Sequence, residues 1–214
     1  MAVIAPTILC ETDDDYKTTI ERLHPFAKRV HIDLADGEFA PTFTVGVNQI
    51  WWPQEWIVDI HAMVARPSQY VDALIQMKPS TVIFHAEASE DLAPSLEKLK
   101  QAGIKVGVGL LKPTVPTTVQ HYIEAADHVL VFSGDLGHYG GSASLMQLEK
   151  VRLIRMIHPE VEIGWDGGAN TENAFSLAQG GVDVINCGGS IHKTQDPSAA
   201  YAQLVGEINK HSVI

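Results

Sequence analysis

The sequence has few cysteines, no long apolar run and no cluster of basic residues. Cys10 and Cys187 lie far apart and form no C-x-x-C pair, which argues against a disulfide scaffold and favours a reducing compartment. No apolar stretch approaches the length of a membrane span, so we expect no membrane partner. The apolar opening MAVIAPTILC lacks a basic segment and is interrupted by Pro6, so we do not expect a signal peptide. These absences predict a cytoplasmic protein.

Positive charge is also scarce. The 214 residues include 15 Lys and Arg against 26 Asp and Glu, a formal net charge of −11, and no Lys/Arg run. Nucleic acid is therefore not expected as a partner. With 45% hydrophobic residues the chain can bury a sizeable core, and its length fits one domain spanning residues 1–214.

Eight short β-rich runs recur along the chain, each apolar enough to be buried on both faces. They are Val3–Leu9, Arg29–Asp33, Ile57–His61, Thr81–His85, Lys105–Leu111, His128–Phe132, Val161–Asp166 and Val182–Cys187. Helical patterns lie between them, which predicts repeated βα units and a parallel sheet. Eight units of about 27 residues each match a lean (β/α)8 barrel, a TIM barrel of the α/β class.

An open doubly wound sheet is the alternative fold. Such a sheet carries its glycine-rich phosphate turn after the first strand, whereas the ILCET turn here contains no glycine. The glycines cluster instead after strands six, seven and eight, where barrels place their phosphate sites. The late glycines favour the barrel.

Helix boundaries have their own signals. Thr12 precedes three aspartates that suit the positive end of a helix dipole, so a helix is predicted to begin there. Ser144 and Gln147 fit a capping box before the helix that follows the sixth strand. Gly103 and Gly180 are predicted to end helices.

Isolated polar residues stand at the ends of three predicted strands. His31 and Asp33 point to the same side of strand two, His61 ends strand three, and Asp166 ends strand seven. In a barrel the carboxyl ends of the strands build the active site, so these four side chains could surround one divalent ion. The alternative is that the histidines are hydrogen-bonded core residues and the aspartate before Gly-Gly forms a turn.

Taken in order, several motifs resemble the ribulose-phosphate 3-epimerase family along nearly the whole chain. They are APTILC, HIDLADGEFAPTFTVG, DIHAMVARP, FHAEA, the Gly-Gly of HYGG, WDGGANTEN and CGGSIH. The resemblance implies a barrel of the ribulose-phosphate binding type, a homo-oligomer, and a divalent metal held by His31, Asp33, His61 and Asp166. It also implies that Asp33 and Asp166 act as the acid and the base.

The resemblance further assigns residues that bind the substrate. Thr7 and Met63 are expected to line the pocket, and a set of glycines with a serine is expected to cradle the substrate phosphate through backbone N–H groups. The cradle residues are Gly140, Gly141, Gly168, Gly189 and Ser190. Glycine lets backbone N–H groups approach a phosphate closely, which agrees with this assignment.

The chemistry expected is inversion at carbon 3 of a ketose phosphate, with D-ribulose 5-phosphate and D-xylulose 5-phosphate as the leading pair. The carbonyl at carbon 2 makes the neighbouring hydrogen acidic, and a metal at the C2 and C3 oxygens stabilises the enediolate by several kcal/mol. Mixed His/Asp ligation suits zinc, iron, manganese or cobalt. Inversion needs two proton carriers, which the two aspartates would supply.

The sequence also departs from the family pattern. Family members usually have methionine at the position of Ala35 and a Met-Pro-Gly-Phe loop where this chain has SGDLGHYGG, Ser133 to Gly141. Asp135 and His138 could therefore alter what covers the metal, or be solvated loop residues. Lys112 replaces an asparagine and could bind an acidic substrate group or form a Schiff base.

These departures keep two other functions open. One is a 3-epimerase of a related substrate such as allulose 6-phosphate, and the other is a catalytically silent barrel that binds sugar phosphates. Related decarboxylases carry Asp-x-Lys-x-x-Asp on strand three, where this chain has His61 at the lysine position, which disfavours decarboxylation. His85 and Glu87 are interpreted as packing residues or as partners of the ligand residues.

Overall fold

Eight parallel strands form the barrel of this protein. The structure, a computed structural model, describes residues 1–210, so the last four residues of the predicted domain, 211–214, lie outside the described residues. The strands pair in chain order, and β1 closes the barrel against β8. Their bounds are β1 Val3–Ile8, β2 Arg29–Ala35, β3 Ile57–Met63, β4 Thr81–His85, β5 Lys105–Leu110, β6 His128–Phe132, β7 Glu162–Asp166 and β8 Val184–Cys187. The predicted (β/α)8 fold is confirmed.

Helices lie around the barrel in six of the seven connections between strands and in the segment after β8. They are α1 Asp13–Leu23, α2 Val71–Met77, α3 Ala93–Gln101, α4 Gln120–Ala125, α5 Leu148–Ile157, α6 Ala174–Gln179, α7 Gly189–His192 and α8 Pro197–Ile208. Short 3-10 turns at 67–69, 116–119 and 145–147 precede α2, α4 and α5. The connection 36–56, which the structure describes in full, contains turns and no helix. No helix within residues 1–210 is long and apolar enough to cross a membrane.

Alternation along the strands decides which residues reach the interior of the barrel. On β2, Val30, Ile32 and Leu34 belong to the apolar core that packs the barrel against its helices. The intervening His31 and Asp33 face inward because successive strand residues point to opposite sides. The same alternation brings His61 inward on β3. His31 and Asp33 point to the same side of their strand, as the sequence predicted.

A charged cluster fills the barrel at the amino ends of the strands. The Arg29 guanidinium donates to both carboxylate oxygens of Glu162, at 2.8 and 2.7 Å, and its Nε donates to Asp59 at 2.6 Å. His128 Nδ1 lies 2.8 Å from the same Glu162 carboxylate. Burial acts to raise the pKa of Glu162, but Arg29 and His128 outweigh it and hold that pKa well below its usual range. This end of the barrel is therefore closed by ion pairs.

Three of the predicted helix boundaries are confirmed and one is wrong. Thr12 caps α1 as predicted, since its hydroxyl accepts a hydrogen bond from the Asp15 N–H at 3.2 Å. Gly103 and Gly180 follow α3 and α6 as predicted. The capping box at Ser144 is wrong, because the Ser144 N–H donates to the Ser133 hydroxyl at 2.8 Å and its side chain makes no cap bond. A 3-10 turn follows, and α5 begins only at Leu148.

Candidate active site

Four side chains from three strands meet at the carboxyl end of the barrel. Each of His31, Asp33, His61 and Asp166 offers one ligand atom, and these atoms lie within 4.8 Å of one another. The parallel register places Asp33 directly beside His61, whose Nδ1 lies 2.9 Å from Asp33 Oδ1. His31 Nε2 lies 3.4 Å from Asp33 Oδ1 and 3.8 Å from Asp166 Oδ2. The structure thus brings together the four residues that the sequence singled out.

The donor set of this cluster fits a divalent metal ion. His31 is fully buried, yet neither of its ring nitrogens has a hydrogen-bond partner among residues 1–210. Buried polar atoms nearly always have partners, so an unpaired imidazole beside two carboxylates calls for a cation. Two imidazoles and two carboxylates are a common ligand set for zinc and for iron, manganese or cobalt.

A chain of buried groups extends from the cluster into the barrel. His61 Nε2 lies 2.7 Å from His85 Nε2, and His85 Nδ1 lies 3.4 Å from Glu87 Oε2. Burial lowers the pKa of His85 to about 4, so the ring is neutral near pH 7. With its proton on Nδ1, beside Glu87, His85 accepts the His61 Nε2–H. This tautomer, assigned from the hydrogen-bond network, leaves His61 Nδ1 directed at the acids.

Neighbouring groups fix the ends of that chain. Glu87 Oε1 accepts hydrogen bonds from the Leu111 N–H, at 2.9 Å, and from the Thr114 hydroxyl. Gly109 on β5 gives the His85 ring its room, because a Cβ there would lie 3.1 Å from the imidazole. His85 thus contacts the cluster residue His61, and Glu87 contacts His85, which is one of the two roles that the sequence left open for them.

The two aspartates of the cluster differ in their surroundings. Burial favours protonation of both carboxyls, but the neighbouring His31 and His61 imidazoles outweigh it at Asp33 and lower its pKa. Burial dominates at Asp166, and with repulsion from Asp33 it raises the Asp166 pKa. Two acids whose pKa values are pushed apart suit the separate roles of base and acid.

A cavity of about 180 Å3 opens above the cluster. Thr7 and Met63 line it close to the acids, Asp33 and Asp166. The predicted glycine cradle lines it as well, through Gly140, Gly141, Gly168, Gly189 and Ser190. Gly168 cannot be replaced simply, since its φ is +72° and a Cβ would lie 2.1 Å from the Ala143 nitrogen. The structure therefore brings the predicted substrate residues around one cavity.

The divergent segment 133–141 lies at the mouth of this cavity. Asp135 and His138 line it and are solvent-exposed. Lys112 lies in an adjoining apolar groove instead, with its Nζ 3.4 Å from Asp135 Oδ1 and its side chain 46% exposed. A lysine in this exposed position is not the desolvated amine that Schiff-base chemistry requires.

Sequence reasoning missed several residues of the cavity wall, among them Tyr139, Asn186 and Lys193. The Tyr139 hydroxyl accepts from the Leu9 N–H at 2.6 Å and donates to the Thr7 carbonyl at 3.3 Å, which ties the segment to β1. The spacing of Tyr139 and Lys193 in the sequence did not indicate a role in the cavity. Asn186 had a weak signal, because it is a single amide within an apolar strand.

Comparisons with known proteins agree with the family resemblance seen in the sequence motifs. The family model described as "Ribulose-phosphate 3 epimerase family" matches residues 3–192. A protein of Schizosaccharomyces pombe named ribulose-phosphate 3-epimerase is 27% identical over 216 residues, covering 98% of this chain and 95% of that protein. A protein of the same name from Mycobacterium leprae is 30% identical over 223 residues, covering 98% and 97%.

Among solved structures, the 3-hexulose-6-phosphate synthase of Salmonella typhimurium superposes with a TM-score of 0.74. Its sequence is 17% identical, and the match covers 96% of this chain and 98% of that one. At this identity the likeness shows the barrel fold alone.

Proposed function

The chain belongs to the ribulose-phosphate 3-epimerase family and is an isomerase, and on this premise we propose that it interconverts D-ribulose 5-phosphate and D-xylulose 5-phosphate. The observation that supports this reaction best is the cluster of two imidazoles and two carboxylates, whose two aspartates line the cavity. A protein that only bound sugar phosphates would have no need for two buried acids with opposite pKa shifts.

His31, Asp33, His61 and Asp166 would hold one divalent ion between them. Such an ion, when bound, supplies a Lewis acid that stabilises negative charge on substrate oxygens by several kcal/mol. His85 and Glu87 would keep His61 in the tautomer that directs Nδ1 toward the ion site.

The aspartates would carry the proton. The hydrogen on carbon 3 is acidic because it is adjacent to the carbonyl at carbon 2, so a carboxylate within reach can remove it. The surroundings lower the pKa of Asp33 and raise that of Asp166, so Asp33 would act as the base on one face and Asp166 as the acid on the other. In the opposite direction the roles exchange. Each acid would contribute about 10²–10⁴-fold to the rate.

The remaining cavity residues would bind the substrate. Backbone N–H groups at Gly140, Gly141, Gly168 and Gly189, with the Ser190 hydroxyl, would bind the phosphate, since all five residues line the cavity. Thr7 and Met63 would contact the sugar. The exposed Asp135 and His138, in the segment that departs from the family pattern, also line the cavity, so a six-carbon substrate such as allulose 6-phosphate is the second candidate.

The test is proton exchange at carbon 3. Metal-loaded protein is incubated in deuterated water with a panel of five- and six-carbon ketose phosphates, and NMR follows deuterium at carbon 3 and its configuration. We expect label with inversion, fastest for D-ribulose 5-phosphate. Faster exchange of allulose 6-phosphate would transfer the proposal to that substrate, and no exchange with any member of the panel would refute it. Asp14→Asn, an exposed acid on α1, is the matched control.

A further inference from the structure

A buried amide in the wall of the cavity has no hydrogen-bond partner. Asn186, on β8, is 2% exposed, and neither its Oδ1 nor its Nδ2 is bonded to another group of the described chain. It lines the cavity of the candidate active site and is paired with Ala5 of β1. Its strand neighbours Val184, Ile185 and Cys187 are all buried and apolar, so the amide stands alone on this strand.

Burying an amide at this position costs free energy that an apolar side chain of similar size would avoid. Native proteins leave few such groups unpaired, and one at a cavity surface takes its partner from water or from a ligand. The amide is therefore placed for a ligand rather than for the fold.

One hydroxyl shares its condition. Thr7 Oγ1, on the neighbouring strand, is buried and has no hydrogen-bond partner within the described residues. Both residues line the same cavity. Amides and hydroxyls both donate and accept, so the groups that match them best are themselves able to do both. A chain of hydroxyls has this property, whereas a carboxylate only accepts and an apolar ligand does neither.

We propose that Asn186 is a specificity-determining residue that hydrogen-bonds a hydroxyl on the carbon chain of an open-chain ketose phosphate. This inference rests on the proposed function, since it names the part of the substrate that the same cavity reads. A site built to bond a hydroxyl rejects the analogue that lacks it, because its own polar groups are then left unpaired. Asn186 would thus discriminate between sugars rather than move the proton.

The first experiment replaces the amide by an apolar group of similar size. Asn186→Leu is expected to lower kcat/KM for D-ribulose 5-phosphate at least about tenfold, the loss of one hydrogen bond together with the desolvation of its partner. In the free protein the same variant should melt at a higher temperature than the wild type. A structural role would instead lower the melting temperature. Asn186→Val, which is smaller and apolar, gives the same comparison if leucine does not fit, and Asn48→Leu on an exposed loop is the matched control.

The second experiment identifies the hydroxyl and separates this inference from the proposed function. Monodeoxy ketose phosphates are compared on the wild type and on Asn186→Leu, and one of them should show the same kcat/KM with both proteins. Calorimetry with an unreactive open-chain pentitol 5-phosphate measures the contact without catalysis, and binding should weaken about tenfold in the variant.

Distinct results refute the two proposals. Absence of carbon 3 exchange in the wild type contradicts the proposed function, while weaker pentitol phosphate binding by the variant would still support the role of Asn186. Equal pentitol phosphate binding by the two proteins, or a lowered melting temperature in both variants, would overturn the inference about Asn186.

Discussion

Asp33 and Asp166 are the same side chain in two different electrostatic settings. Asp33 lies against both imidazoles of the cluster, which favour its charge, while Asp166 is governed by burial and by the charge of Asp33. The distinction arises from where β2, β3 and β7 end rather than from the residues themselves. Single-residue changes can therefore separate their roles.

Replacing either aspartate by asparagine should abolish inversion. Asp33→Asn and Asp166→Asn each remove a proton carrier and an ion ligand, so epimerisation should fall at least about 10²-fold. With metal content matched, one variant should retain more carbon 3 exchange from one epimer, and the other variant more exchange from the opposite epimer. NMR of each pure epimer in deuterated water measures this, and identical exchange patterns in the two variants would contradict the two-carrier mechanism.

His85 should affect the affinity for the metal ion rather than the transfer of the proton at carbon 3. Removing the residue that orients a metal-binding histidine typically lowers metal affinity about 10–100-fold. We expect such a loss in His85→Leu, and a smaller one in His85→Gln, whose amide can still accept from His61. Competition against a chromogenic chelator measures the affinity. Unchanged affinity in a folded His85→Leu protein would show that His85 only fills space.

At the scale of elements, periodicity predicts the strands well and the connections poorly. All eight strands were placed correctly, with β2 and β3 each extending two residues further because their pairing continues to Ala35 and Met63. The connection 36–56 lacks a helix. The predicted capping box at Ser144 is wrong because the Ser144 N–H donates to the Ser133 hydroxyl. Such contacts join residues distant in space or in the chain, which local patterns do not encode.

The segment 133–141 illustrates the same limit and offers a test. Its departure from the family pattern was visible in the sequence, but its attachment to β1 through the Tyr139 hydroxyl was not. Tyr139→Phe removes one hydroxyl and keeps the ring. A hydrogen bond contributes about 1 kcal/mol, so KM should rise about fivefold with a smaller change in kcat.

Steady-state kinetics checks this expectation against Tyr122→Phe, because the Tyr122 hydroxyl donates to Asp91 and neither residue lines the cavity. Equal KM values for Tyr139→Phe and the wild type would show that the ring, and not the hydroxyl, holds the segment.

At the scale of the whole molecule, the barrel has a structural end and a chemical end. Ion pairs among Arg29, Asp59 and Glu162 close the amino ends of the strands, while the opposite end collects the cluster and the cavity. The cluster was predictable because parallel strands end at one rim. The charged cluster at the amino ends of the strands was not predictable, because its residues come from distant strands. Asn186 was not predictable either, because the partner proposed for it is a ligand. The predicted homo-oligomer stays a prediction.

The charged cluster at the amino ends of the strands should affect the stability of the protein in acid. The pKa of Glu162 is lowered in the folded state, so its ion pairs stabilise the protein fully at pH values well above about 4.3, the ordinary glutamate pKa of the unfolded chain. This stabilisation declines below that pH and is lost as pH falls through the folded pKa. Glu162→Gln should therefore reduce the free energy of unfolding at pH 7 more than at pH 4. Urea unfolding across that range measures the difference.

The control for this prediction is Glu160→Gln, an exposed acid two residues away, which should follow the wild-type pH dependence. A Glu162→Gln protein that loses equal stability at pH 4 and pH 7 would contradict the role given to these ion pairs.

The central claim is that His31, Asp33, His61 and Asp166 form one ion-dependent centre for exchange at carbon 3. The most direct measurement strips the protein with a chelator and titrates a divalent ion back while NMR follows deuterium entering carbon 3 of D-ribulose 5-phosphate. We predict no exchange in the stripped protein and full recovery at one ion per chain. Exchange that persists after complete removal of metal would contradict the account.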